Sequence, residues 1–242
     1  KWILLAWILA MLVLVGLNVL GARRWDAATD ALIARVDSAR VPLDAERFDE
    51  RELEGLPPPV QRYFRTVLEN GQPIIRAATL VHAGTFNLSE DSERWKSFTS
   101  SQRVVTRRPG FVWNASMSIL PGLPVRVHDA YVAGEGLLHP AIFGFFSLSE
   151  LRGTGEIAQG ELMRFLAEAP WYPTALLPRQ GVRWAAVDDR SARATLTDGS
   201  SSVALLFRFG TDGLIESVLA EARGRTVGKE IVMTPWEGRW SD

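Results

Sequence analysis

The 242-residue chain contains no cysteine, and that absence removes several functions at once. A disulfide framework, a thiolate metal site, a cysteine nucleophile and a lipid-modified cysteine are all excluded. Histidine is scarce: His82, His128 and His139 are the only three, and none sits in a spacing such as HExxH, so no metal site is expected. An excess of one charge is missing too. The net charge is −1, without the basic surplus that phosphate recognition needs, so nucleic acid is not an expected partner. There are no solenoid-period repeats and no low-complexity linker. No GxSxG elbow or P-loop occurs, and Ala133-Gly-Glu-Gly136 lacks the third glycine and following helix of a dinucleotide fingerprint, so it reads as a turn. No catalytic residue and no cofactor is therefore expected.

What the chain does have first is a long apolar run. Trp2 to Leu20 is apolar except for Asn18. As a helix it spans about 28 Å, close to the roughly 30 Å of bilayer hydrocarbon. A cleaved signal peptide has a shorter apolar core and a small-residue cleavage site. Here Arg23-Arg24-Trp25 follows instead, the interfacial dressing of a retained helix. Residues 1–24 are expected to be a single-pass anchor, with the membrane as partner through residues 2–20. The sequence begins at Lys1 rather than methionine, so its first flank is expected to be incomplete and loop charges do not fix the orientation. Arg23 and Arg24 alone would draw the following segment toward the cytoplasm.

The rest divides into a linker and one domain. Asp26 to Ser38 reads as a short helical stalk with Ala31, Leu32 and Val36 on one side, broken by Arg40-Val-Pro-Leu-Asp44. Residues 25–57 are thus stalk and linker. Pro57 to Pro59 then preset a helix from about Pro58 to Glu69, closed by Asn70-Gly71. From Pro73 the period becomes two, with Ala78, Leu80, His82 and Gly84 on one side. Phe111–Ile119 and Leu123–Val132 are further strands, separated by Pro121-Gly122. A helix over Glu156–Ala169 carries Leu162, Phe165, Leu166 and Ala169 at offsets 0, 3, 4 and 7, and Pro170 ends it. A short turn follows at Pro173–Leu177. Four runs of strand length follow, at 182–187, 192–197, 203–209 and 214–222, with an alternation that is apolar on one face and mixed on the other. Their short separators make antiparallel hairpins, because a parallel return needs a dozen residues or more. The expected fold is α+β, mainly β: a curved, half-barrel-like antiparallel sheet packed with a few helices over residues 58–242, behind one transmembrane helix.

Few side chains suggest chemistry. His128-Asp129 resembles a catalytic pair, yet neighbours on a strand point to opposite faces. Glu161 lies at the margin of an apolar helical stripe and, if buried, needs a donor. Asp129 and Glu135 flank Tyr131 and could form a polar rim. Aromatics are the richer feature. Nine tryptophans occur, six of them well beyond the anchor: Trp95, Trp113, Trp171, Trp184, Trp236 and Trp240. Two uses compete, an ordinary core and an aromatic-lined concavity for an acyl chain. The apolar segment His139 to Phe146 favours the second, because a loop of that composition must tuck inward, cover a cavity or touch lipid.

Several segments carry a resemblance. Leu56-Pro-Pro-Pro-Val-Gln-Arg-Tyr-Phe64, Arg108-Pro-Gly-Phe-Val-Trp113, Pro121 to Gly136, Gly160-Glu-Leu-Met-Arg-Phe-Leu-Ala-Glu168 and Trp171-Tyr-Pro-Thr-Ala-Leu-Leu-Pro178 resemble a bacterial family of unknown function, of the DUF6544/DUF6920 type, over roughly residues 55–240. That family has no established activity, so the resemblance brings no catalytic residue. It implies two further strands after Pro235-Trp-Glu-Gly238, and so a sequence cut short at both ends. The order of elements is also similar to that of half-barrel lipoprotein-carrier proteins, which implies a soluble part on the outer face of the membrane. The expected function is a membrane-anchored module binding a lipid or other apolar ligand between sheet and helices 58–69 and 156–169, without catalysis. The expected ligand-binding residues are Trp95, Phe111, Trp113, Tyr131, Glu161, Phe165, Trp171 and Tyr172. Two alternatives stand beside it: a membrane-tethered structural or protein-interaction domain, and a hydrolase-like enzyme using Glu161 and Asp129.

Overall fold

The computed structural model describes residues 1–42, 46–89, 92–227 and 230–241. Its first element, α1 (Trp2–Ser38), is one unbroken helix of 37 residues. Anchor and stalk are therefore continuous. The junction Gly21-Ala-Arg-Arg-Trp-Asp has a single glycine and no proline, so nothing interrupts the hydrogen-bond ladder. The first half of α1 is exposed and its most apolar stretch has a mean hydropathy of 2.7, so it is long and apolar enough to cross a membrane. The second half is not a free stalk. Trp25, Thr29, Leu32 and Val36 are buried, because residues 3 and 4 apart share one helical face, and that face lies on a sheet. Leu43 and Asp44 of the expected break lie outside the described residues.

Among the described residues, twelve strands form two antiparallel sheets, and neither closes into a barrel. In the first, β1 (Ala77–Asn87), β2 (Trp95–Val105), β3 (Gly110–Leu120), β4 (Leu123–Val132), β5 (Glu135–Ile142) and β6 (Phe146–Ser147) follow in sequence order, with β7 (Leu151–Gly153) also on β5. In the second, β8 (Val182–Asp188), β9 (Ser191–Asp198), β10 (Ser201–Phe209), β11 (Ile215–Val227) and β12 (Glu230–Arg239) form a plain meander. The turns have the chemistry this needs. Between β4 and β5, Ala133 and Gly134 both take positive φ, 54° and 91°, as a two-residue type I′ hairpin demands.

α2 (Pro58–Val67) starts on its prolines, and α3 (Glu156–Glu168) is followed by three short 3-10 turns reaching Gln180. Of these two further helices, α3 packs against both sheets and α2 against the second. Alternation gives each strand of the first sheet two different faces. Val112, Ala130 and Val132 meet Leu32 and Val36 of α1. On the other side Phe111 and Tyr131 join the main core, with Leu162, Phe165 and Leu166 of α3, Tyr63 and Phe64 of α2, and Val203, Leu205, Phe207 and Phe209 of β10. The second sheet thus closes over α3 from the far side.

The structure adds strand β2, which the sequence reading lacks, and it turns His139 to Ile142 from a loop into part of β5. Pro140 fits there because β5 pairs with β6 and β7 only in part, which leaves an edge where a missing N–H is tolerated.

Candidate functional site

The face of the first sheet opposite α1 is not wholly filled. A cavity of about 890 Å³ lies between β1–β5, the C-terminal end of α3, and β11–β12. Phe98, Trp113, Met117, Val127 and Leu138 form its apolar wall, and Trp236 and Trp240 face them from the second sheet. The strand period sets this lining: Trp113, Met117 and Ile119 are odd-numbered on β3, and Val125, Val127 and Asp129 are odd-numbered on β4. From Trp113 to Ile119 the wall is about 20 Å long at the usual rise per strand residue.

One end of the cavity is charged. Arg164, on α3, donates from Nη1 to Asp129 Oδ2 and from Nε to Glu168 Oε1 at 2.8 Å. Gln102 Nε2 donates to Glu168 Oε2 at 2.7 Å. The guanidinium also lies 4.7 Å from the Trp113 ring and 5.2 Å from that of Phe111, so it is sandwiched between carboxylates and aromatic faces. The Asp129 and Glu168 charges keep it protonated against its burial. A buried pair of this kind is costly to break, by about 3–5 kcal/mol, because the surviving partner stays buried and unpaired.

Behind Asp129 sits Glu161, 4 % exposed. Burial, and then the charge of the neighbouring Asp129 carboxylate, hold its carboxyl well above the usual range. Among the described residues, Asp129 Oδ1 and Glu161 Oε2 are buried and have no hydrogen-bond partner. The His82 ring lies tilted against that of Trp171 at 4.7 Å near this end, and burial lowers its pKa. Among the described residues no group of three His, Cys, Asp or Glu side chains is arranged to hold a metal ion.

The eight residues singled out from sequence are distributed unevenly. Trp113 and Trp171 line the cavity. Phe111, Tyr131, Phe165 and Tyr172 lie in the core, with the Tyr131 hydroxyl donating to Asp198 at 2.9 Å and that of Tyr172 to the Phe165 carbonyl. Glu161 stands behind the polar end, and Trp95 is exposed on β2, outside the wall. Asp129 lines the cavity while Glu135 pairs outward with Arg35 of α1. Helix α2, expected as one wall, contributes no lining residue; its apolar face is spent on the core. Sequence reading missed Arg164 and Glu168. Their signal was present, since Glu161, Arg164 and Glu168 fall at offsets 0, 3 and 7 on one helical face.

A protein-family model described as a family of unknown function (DUF6920) matches residues 54–242. No curated protein and no solved structure matches the chain.

Proposed function

Since this chain belongs to DUF6920, a family of unknown function, we propose from the site alone that it is a membrane-anchored module holding a lipid or similar apolar molecule, without catalysis. The cavity carries this reading. Its volume is within the usual range for ligand sites, and an apolar wall with a few convergent polar groups at one end suits an amphipathic guest. The acyl part would lie along Phe98, Met117 and Val127, and a polar group would meet Arg223 and the Arg164 cluster. We extend the same proposal to the outer face of the membrane and to a likeness with half-barrel lipid carriers and DUF6544; element order supports both.

The test is native mass spectrometry of the full chain released gently from detergent. Wild type should carry a lipid-mass adduct, and Val127→Trp, which fills the cavity from its wall, should lose it. Equal spectra for the two proteins, or no adduct on wild type, would overturn the reading.

A second reading is acid–base chemistry by Glu161 and Asp129, favoured by the closeness of their carboxyls and the raised pKa of Glu161. It needs a substrate atom within hydrogen-bond reach of Glu161. Glu161 stands behind the cavity wall, which is why binding is the better-supported function.

A further inference from the structure

The first sheet is a meander, so the ends of β1, β3 and β5 and the beginnings of β2 and β4 all lie along one edge. The register confirms it: Phe98 faces Met117, Met117 faces Val125, and Val125 faces Ile142. Helix α1 runs along the sheet toward that edge. Its Val36 packs with Val105 and Val132 at the opposite end, whereas Trp25 bonds Asn114 and stacks on His128 in the middle. Gly21 reaches the edge itself. A Cβ there would lie 2.0 Å from the Phe143 carbonyl oxygen, so only glycine permits so close an approach. Gly21 is also the first residue after the apolar run. The segment that can cross a membrane therefore starts where the sheet ends.

That edge is apolar where most loops are polar. Leu120 at the end of β3 and Phe145, Phe146 and Leu148 after β5 are all exposed. Arg24 of α1 lies 5.2 Å over the Phe145 ring, an arginine–aromatic pair of the kind found at headgroup depth. Exposed apolar groups gathered in one place mark an interaction surface. The cavity reaches the same edge, for Phe86, Leu88, Ile119 and Leu148 belong to its lining. Its charged end, at Asp129 and Arg164, lies inward.

From this juxtaposition we infer that the edge bearing Leu120, Phe145, Phe146 and Leu148 is seated in the adjacent leaflet, so that the cavity opens directly onto membrane lipid and admits an acyl chain tail-last, headgroup inward. The seating is shallow, because Ser89, Ser92, Glu93 and Arg94, at the described ends of the β1–β2 connection on the same edge, belong among headgroups rather than hydrocarbon. The inference rests on α1 as a membrane span and on the cavity as a lipid site.

The chain lacks cysteine, so single cysteines can be placed at will. The full chain with Leu120→Cys, Phe146→Cys, Trp7→Cys or Val187→Cys is labelled with an environment-sensitive fluorophore and reconstituted in phosphatidylcholine vesicles. Val187 is exposed at the end of β8, in the other sheet. Labels at 120 and 146 should emit to the blue of the label at 187 and be quenched by lipid carrying a nitroxide near the headgroup. Labels at 120 and 146 that behave like 187 while 7 is quenched would overturn the seating and leave the span intact. An unquenched label at 7 would overturn span and seating together. Vesicles doped with a phosphatidylcholine whose acyl chain ends in a diazirine then test entry. Cross-links should map to Phe98 and Met117. Cross-links confined to α1 would overturn entry, and with the edge quenched they would count against the lipid site rather than the seating.

Discussion

Glu161 is the residue on which the polar end of the cavity turns. Its carboxyl is neutral in the folded chain because burial and Asp129 both oppose its ionisation. The unfolded chain releases that proton near the ordinary value of about 4.5. Folding is therefore favoured by Glu161 below that pH, and the contribution is lost as pH rises from there toward the raised folded pKa. One group of this kind changes stability by at most about 1.4 kcal/mol per pH unit. Glu161→Gln keeps the shape of the side chain beside Asp129 and cannot titrate. Chemical denaturation of the detergent-solubilised chain should give the Gln variant a growing advantage above pH of about 4.5, and parallel curves for the two proteins would show that Glu161 ionises freely. The equivalent change at Arg164 has the opposite character. It would strand Asp129 and Glu168 together, so loss of folding, not altered pH dependence, is the outcome to expect there.

At the scale of elements, the docking of α1 depends on three contacts around one imidazole. Trp25 stacks on His128 at 3.9 Å, Trp25 Nε1 donates to Asn114 Oδ1 at 2.9 Å, and the Thr29 hydroxyl meets His128 Nε2 at 2.7 Å. Burial, aided by the charge of His139, pushes the His128 pKa down to about 4. Neutral His128 thus stabilises the docked helix fully above its unfolded value of 6.5 and progressively less as pH falls to about 4. Hydrogen exchange over residues 26–38 should accelerate across that window, and His128→Phe should flatten the response. Much at this scale was legible in the sequence. In β10 of the second sheet Val203, Leu205, Phe207 and Phe209 alternate with Ala204, Leu206 and Arg208, and proline or glycine marks most helix ends. Strand β2 escaped because its inward positions include Ser100 and Gln102, which break the apolar rhythm. The continuity of α1 escaped for a different reason: a span and a docked amphipathic helix have unlike compositions, and only the unbroken ladder joins them.

For the whole molecule, the cavity was the least legible feature. It exists because strands more than a hundred residues apart face each other without touching, and no local pattern encodes the width of that gap. Residues with the same sequence signature therefore took different places, Trp113 on the wall and Trp95 outside it. The side of the membrane is likewise a property of the whole chain. Arg23 and Arg24 and the proposed outer placement pull in opposite directions, and the conflict has a direct check. In intact cells, the Val187→Cys chain should react with a membrane-impermeant maleimide; protection until the cells are opened would reverse the orientation.

The unbroken α1 has a mechanical consequence. A helix of 37 residues is a rod about 56 Å long, half of it lying along the sheet and half long and apolar enough to cross a membrane, with no joint between them. With that half in a membrane, as proposed, whatever the sheet holds is kept at one fixed height and tilt above its own bilayer. Such a body cannot swing outward to meet a second membrane, so cargo bound in it must be collected by something that comes to it.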